Sequence, residues 1–321
     1  MEVAELSMRN HFGISCDPAV TITGYKEPTA DVPAADPDYV WPTPPLRRMN
    51  LWWHTRQRAG GNDGLVISGH TGCGKSTFAE QFFNRINVPV WSIICSPRVE
   101  PEDIFGSMGL AAGNTFFNEG PAVKAAKAGG ILLIEEGDRL DPTVMGMLAP
   151  LMEGKPFRIP GDGRLITPQG LFGVVMTTNT RGGNDDTGLY DGARKQNLAT
   201  MSRFQGLSVE YPAPEVEKTI LEKKVIGALP VKQQKPVREA LSKFVDIANK
   251  VRESFKDRST GVDTTISTRI LLRWAQLTVV AQSIDAIDNP VLLALDQALL
   301  DNASQDTQEA IHEIVKGVLG E

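Results

Sequence analysis

One stretch, Gly69-His70-Thr71-Gly72-Cys73-Gly74-Lys75-Ser76, constrains this chain more than any other. It matches the pattern G-x-x-x-x-G-K-[ST] at every fixed position, follows an apolar run at 65–68 and precedes a helical stretch. Strand, glycine-rich loop and helix in that order are what a phosphate-cradling loop requires. Glycines let backbone N–H groups turn inward around phosphate oxygens. A helix beginning near Lys75 points the positive end of its dipole at the same anion. On this reading Gly69, His70, Thr71, Gly72, Cys73, Gly74, Lys75, Ser76 and Thr77 line a nucleotide site, with Lys75 at the β/γ-phosphates and Ser76 a ligand of Mg²⁺. The loop needs nothing specific from the side chains of His70 and Cys73.

Two further strand ends carry polar chemistry. Ile131-Leu132-Leu133-Ile134 runs into Glu135-Glu136. Beside a phosphate loop, the first acid of such a pair belongs to the Mg²⁺ shell and the second polarises the attacking water. Glu135 stands where an Asp is usual; one methylene longer, it remains an oxygen ligand for a hard cation. A third run, Val174-Val175-Met176-Thr177-Thr178, ends in Asn179, whose amide can orient a lytic water or touch the γ-phosphate. Arg203 closes a helical stretch at 197–202, and Arg269 lies at the start of a later helix. A guanidinium at either place can stabilise charge on a transferring phosphoryl group, an effect of about 10³–10⁵ in rate where it operates.

The 321 residues allow a large domain and a smaller one. Apolar runs at 65–67, 90–94, 131–134 and 173–177 alternate with helical stretches, which predicts a parallel sheet covered by helices on both faces. Past Pro212 the strands stop, and 215–226, 235–254, 267–283 and 290–319 read as helices. The expected organisation is an extended proline-rich arm over 1–48, an α/β nucleotide-binding domain over 49–211 and a helical lid over 212–321. Tyr25, Tyr39, Val40 and Trp41 offer the arm apolar anchors, and Trp52-Trp53 read as core. In the lid, Val237, Leu241, Phe244, Val245, Ala248 and Val251 repeat at helical spacing as a core stripe. Residues 157–159 and 165–167 flank the turn Gly161-Asp162-Gly163, which predicts a β-hairpin.

Composition removes several classes. With 41% apolar and 22% charged residues the chain can bury a core, and wholesale disorder is excluded. No stretch has the length of a membrane span, and the amino-terminus lacks the layout of a secretory signal. Three cysteines without a CxxC pair fit a reducing cytoplasm. A net charge of −6 makes nucleic acid an unlikely partner by default, although Lys124, Lys127, Arg158 and Arg164 supply local basic surface.

Taken in order, these parts resemble the AAA+ ATPases of the MoxR type. Gly69–Ser76 resembles the Walker A loop of that family, residues 131–136 its Walker B and Asn179 its sensor 1. Arg203 resembles its arginine finger, which acts on a neighbouring subunit's site, and Arg269 its sensor 2. Residues 153–168 resemble the hairpin before sensor 1, and 101–121 the insert in helix 2. Within that group, Phe12-Gly13-Ile14, Asp36-Pro37-Asp38-Tyr39 and Asp185-Asp186-Thr187-Gly188-Leu189-Tyr190-Asp191-Gly192 resemble the CobS family, the AAA+ subunits of aerobic cobaltochelatase. The Walker B departs from that family's Asp-Glu-Tyr-Asp by reading Glu135-Glu136-Gly137-Asp138. The resemblance implies a five-stranded parallel sheet followed by an all-α lid, ATP and Mg²⁺ as cofactors, and a homo-oligomer in the form of a hexameric ring. Its implied partners are a von Willebrand factor A-domain protein and a large chelatase-like subunit or another protein target. The function it implies first is remodelling or activation of such a partner complex. The alternatives are the ATPase subunit of a cobaltochelatase proper, driving Co²⁺ insertion into a corrin, and a nucleotide-dependent structural ring that hydrolyses weakly.

Overall fold

The computed structural model describes residues 1–58, 62–111, 113–180, 193–226, 229, 231–257, 260–284 and 288–320, with the side chains of 58, 111 and 231–236 left aside. The block Asp185–Gly192, one of those resembling the CobS family, lies outside the described residues. The chain divides into two compact units, the first comprising Met1–Asp36, Trp41–His70 and Lys75–Val209 and the second Pro37–Val40, Thr71–Gly74 and Glu210–Glu321. No described helix is long and apolar enough to cross a membrane.

The first unit opens with strand β1 (Val3–Ser7), helix α1 (Met8–Phe12), strand β2 (Thr21–Tyr25) and helix α2 (Thr43–Arg58). Then follow β3 (Gly64–Ser68), α3 (Lys75–Arg85), β4 (Val90–Ile94), α4 (Pro101–Phe105), β5 (Gly106–Ala111), β6 (Asn114–Glu119), α5 (Pro121–Ala128) and β7 (Ile131–Glu135). The unit closes with α6 (Pro142–Met147), α7 (Ala149–Met152), β8 (Phe157–Arg158), β9 (Leu165–Ile166), β10 (Gly173–Thr178), α8 (Leu198–Met201) and β11 (Phe204–Ser208). Its main sheet has the order β11-β3-β10-β7-β4, and every neighbouring pair is parallel. The central strands β3, β7 and β10 are apolar and buried nearly throughout, as strands covered on both faces must be. Between β4 and β7, β5 and β6 form an antiparallel hairpin, and β8 and β9 form a second one over the span expected to turn at Gly161-Asp162-Gly163.

The expected extended arm over 1–48 folds differently. β1 and β2 pair as an antiparallel hairpin from Val3↔Tyr25 to Ser7↔Thr21, and α2 begins at Thr43, inside the span expected to be arm. Tyr25 is buried; its hydroxyl donates to the Gly129 carbonyl at 2.8 Å and accepts from Leu171 N at 3.0 Å. Phe12 packs on Trp41 and Phe82 with ring centroids 5.0 and 5.4 Å apart. Pro18, Pro28, Pro33 and Pro42 interrupt this segment between its elements and Pro44 and Pro45 open α2 in its first turn, where proline is tolerated, so its apolar residues remain available to dock on the sheet domain. Trp52 and Trp53 are core, and each indole N–H has a carbonyl partner, Asp63 and Thr23 respectively.

The second unit is helical: α9 (Pro214–Lys224), α10 (Val231–Lys256), α11 (Thr268–Ala281), α12 (Pro290–Ala298) and α13 (Gln305–Leu319). Leu241, Phe244, Val245, Ala248 and Val251 are buried along α10, and Phe244 stacks on Trp274 of α11 at 3.9 Å. The single helix expected over 290–319 is two helices. Ser304 accepts from Thr307 N and caps α13, and a 3₁₀ turn, Leu300–Asn302, separates it from α12.

Candidate nucleotide site

The register of the sheet sets the site. Thr178 of β10 lies opposite Ser68 of β3, and Met176 opposite Ile134 of β7. The residues just beyond those strands therefore emerge side by side at the carboxyl edge of the sheet, where open α/β sheets bind ligands. Gly69 N donates to the Thr178 carbonyl at 3.2 Å, which ties the start of the loop to the strand that delivers Asn179.

Within the first unit, Lys75 Nζ donates to the carbonyls of Gly69 (2.8 Å) and His70 (3.0 Å) and to Asn179 Oδ1 (2.9 Å). Ser76 Oγ donates to Glu135 Oε2. The structure thus brings Lys75, Ser76, Glu135 and Asn179 together. Glu136 follows Glu135 at the same strand end with φ 53°, a left-handed conformation uncommon outside glycine. Arg139 Nη1 donates to Glu136 Oε2 at 2.8 Å, and Glu136 N donates to Thr177 Oγ1 at 3.4 Å. A hydroxyl and a carboxylate already in contact are a hard-oxygen pair suited to a divalent cation that takes its remaining ligands from phosphate and water.

The carboxylates leave a mark on their neighbours. Burial first, and the charge of Glu135 second, hold Glu80 above the usual carboxylate range. Burial pushes the Cys95 thiol up to about 12, with Glu136, Asp138 and Glu135 adding to it. Glu80 stands four residues past Ser76 on α3, on the same helical face. The i, i+4 spacing from Ser76 is legible in the sequence, although Glu80 belongs to no motif.

The loop crosses the division of the chain, since Thr71–Gly74 belong to the second unit. There Tyr211 Oη donates to the Thr71 carbonyl at 3.1 Å. Gly72 has φ +73°, and a Cβ on it would come within 2.5 Å of Ser267 Oγ and 3.8 Å of Arg269 Cβ. Only glycine fits that position. Ser267 caps α11 by accepting from Ile270 N, which places Arg269 in the first turn of that helix.

Arg203 sits elsewhere in the first unit. Its carbonyl accepts from Gly64 N at 2.9 Å, at the amino end of β3, while the phosphate loop leaves the carboxyl end of that strand. Arg203 Nε donates to Glu153 Oε1 at 2.7 Å and its Nη1 to the Ala199 carbonyl. Hydrogen bonds from Lys155 first, then Arg203, hold the Glu153 carboxyl below its usual range.

The AAA domain family of the dynein-related subfamily matches residues 64–204, and the CbbQ/NirQ/NorQ C-terminal family matches 231–318. The first match runs from β3 through the phosphate loop, both acids and Asn179 to Arg203. Fold, site and both matches make the chain an AAA+ ATPase, one that resembles the MoxR type. It resembles the aerobic cobaltochelatase subunit CobS of a Sinorhizobium species, with 29% identity over 278 residues, 84% of this chain and 79% of that protein. Protein CbbQ of Hydrogenophilus thermoluteolus is 28% identical over 65% of this chain and 71% of its own length. Protein NorQ of Paracoccus denitrificans is 22% identical over 80% and 86%.

Proposed function

We propose that this ATPase assembles as a hexameric ring in the cytoplasm, binds ATP and Mg²⁺ at residues 69–77, and couples hydrolysis to remodelling or activating a partner complex that contains a von Willebrand factor A-domain protein. The observation that carries the reading is the meeting of Lys75, Asn179, Ser76 and Glu135 at one edge of the sheet. The three cysteines, with no CxxC pair among them, agree with a reducing compartment.

In this reading Lys75 exchanges its carbonyl partners for phosphate oxygens, and the loop amides hold the rest of the triphosphate. Ser76 and Glu135 would hold Mg²⁺, which neutralises phosphate charge when bound. Arg139 holds one oxygen of Glu136, and the other, Oε1, takes the proton of the lytic water. Asn179 orients that water through its amide. Arg269 contacts the nucleotide as sensor 2, and Arg203 stabilises the transferring phosphoryl group of a neighbouring subunit.

The similarity to CobS over most of the chain favours a second reading, the ATPase subunit of a cobaltochelatase. Capture with Glu136→Gln protein held in Mg-ATP, read by mass spectrometry, separates the two. Recovery of a von Willebrand A-domain protein with an unrelated target supports the first reading. Recovery of one with a large chelatase-like subunit supports the second. Recovery of neither overturns both.

A further inference from the structure

Asp138 is the buried charge at this edge to which no motif above gave a role. After Glu136 the chain makes a 3₁₀ turn, Gly137–Arg139, that tucks Asp138 inward to 1% exposure. Gly137 permits this close approach, since a Cβ there would come within 2.3 Å of Met176 Sδ. Inside, one carboxylate oxygen gathers three donors. Asp138 Oδ2 accepts from Asn179 N and Thr180 N, each at 2.9 Å, and from Thr180 Oγ1 at 3.1 Å. Its other oxygen, Oδ1, is buried with no hydrogen-bond partner among the described residues. The Asp138 carbonyl also accepts from Arg194 N at 2.7 Å, which anchors the segment leading to α8 and Arg203.

Packing alone does not ask for this arrangement. A buried carboxylate with an unpaired oxygen is costly, and an apolar side chain would avoid that cost only by stranding the Asn179 and Thr180 N–H groups and the Thr180 hydroxyl. What the carboxylate does is fix two successive backbone N–H groups at the end of β10. With both peptides held, the Asn179 side chain is aimed at Lys75 Nζ, 2.9 Å from its Oδ1.

We propose that Asp138 is a positioning residue for hydrolysis: by holding the backbone N–H groups of Asn179 and Thr180 it aims the Asn179 amide at the γ-phosphate and lytic water. This rests on the reading of Asn179 given above. It makes Asp138 the link between the strand bearing Glu136 and the strand bearing Asn179, acting on kcat and not on nucleotide affinity.

The test is a double-mutant cycle on the full chain, with steady-state phosphate release for kcat and KM, nucleotide titration for affinity and thermal unfolding as the folding control. Asp138→Ala is expected to lower kcat about 10²-fold, the scale of a misplaced catalytic group, with nucleotide affinity changed less than about threefold. Asp138→Asn, which keeps one acceptor oxygen, is expected to lose only about three- to tenfold on the same reasoning. Both losses are expected to vanish in an Asn179→Ala background, because Asp138 then has no amide to aim. The same fold loss in both backgrounds overturns the proposal, as does a loss of affinity at unchanged kcat. If Asp138→Ala does not fold, Asp138→Asn alone in the two backgrounds decides the matter by the same criterion. Unchanged kcat in Asn179→Ala itself overturns the reading of Asn179 and the proposal with it, whereas a full loss at Asp138 in both backgrounds overturns the proposal alone.

Discussion

Glu136 carries two burdens at once, a left-handed backbone at φ 53° and a carboxylate at the edge of the nucleotide site. A non-glycine residue there costs about 1–2 kcal/mol relative to the right-handed region, and such strain persists where function holds it. Two substitutions separate the burdens. Glu136→Gln keeps shape and strain; its turnover is expected to fall about 10²–10⁴-fold, the worth of a general base, with ATP still bound. Glu136→Gly removes both. Its turnover should fall likewise while the protein melts at a higher temperature, because about 1 kcal/mol of strain is released; an unchanged or lower melting temperature argues against strain. Cys95 gives a second readout of the same edge. Burial raises its thiol to about 12, so it stays protonated in the folded protein at pH 8. The sign follows: the unfolded thiol ionises from about 8.5, so folding stability from this group is intact below that pH and is lost as pH rises toward about 12. An alkylating agent at pH 8 should leave Cys95 unmodified until denaturant is added, a peptide-mapping experiment that prompt labelling of the native protein would refute.

Between helices the telling feature is an ion pair. Arg252 of α10 and Glu217 of α9 are both buried and meet through two bonds of 2.7 and 2.8 Å. Arg252 Nε also donates to the Ile266 carbonyl at 2.8 Å, and Thr268 Oγ1 of α11 donates to Glu217 Oε1 at 2.7 Å. The guanidinium lies 4.3 Å from the centroid of the Tyr211 ring. Three helices therefore share one charge network. Removing one partner strands the other, so Glu217→Leu or Arg252→Met should each cost about 3–5 kcal/mol, and the double variant less than either. Urea unfolding of the three proteins checks this, and simple additivity would contradict it. None of this network was legible in the sequence, where Arg252 is one more polar residue beside the apolar stripe of α10. The stripe itself was legible, because burial along a helix repeats at its period. The central strands and the phosphate loop were legible for the same kind of reason, continuous apolarity and fixed spacing. β11 was not, since Phe204-Gln205-Gly206-Leu207-Ser208 is an edge strand with one fully buried residue and reads as irregular. Asp138 escaped because its partners come from another strand, and only the register of β7 against β10 brings them within reach.

For the whole molecule the question is where Arg203 acts. β11 runs parallel to β3 from Phe204↔Gly64 to Ser208↔Ser68, so Arg203 stands one residue before the amino end of that pair. At about 3.3 Å per residue, five steps separate it from the strand end that feeds the phosphate loop by about 16 Å. An arginine side chain spans less than half of that. Arg203 therefore cannot serve the loop of its own chain, and in this chain Glu153 and the Ala199 carbonyl hold its guanidinium. Acting as the proposed finger, Arg203 would serve only a neighbour's site, which is the physical case for the proposed ring. Arg203→Ala should bind nucleotide normally and lose about 10³-fold or more in turnover. Glu136→Gln subunits should be equally inactive but keep an intact finger. When the two are mixed, some interfaces pair a Glu136-bearing site with an Arg203-bearing neighbour, and those interfaces can turn over. Phosphate release from the mixture should exceed that of either variant alone and rise to a maximum at intermediate ratios. A mixture no faster than its components, with native mass measurement showing that mixed rings have formed, would place Arg203 outside the transition state altogether and leave its bonds to Glu153 and the Ala199 carbonyl as its role.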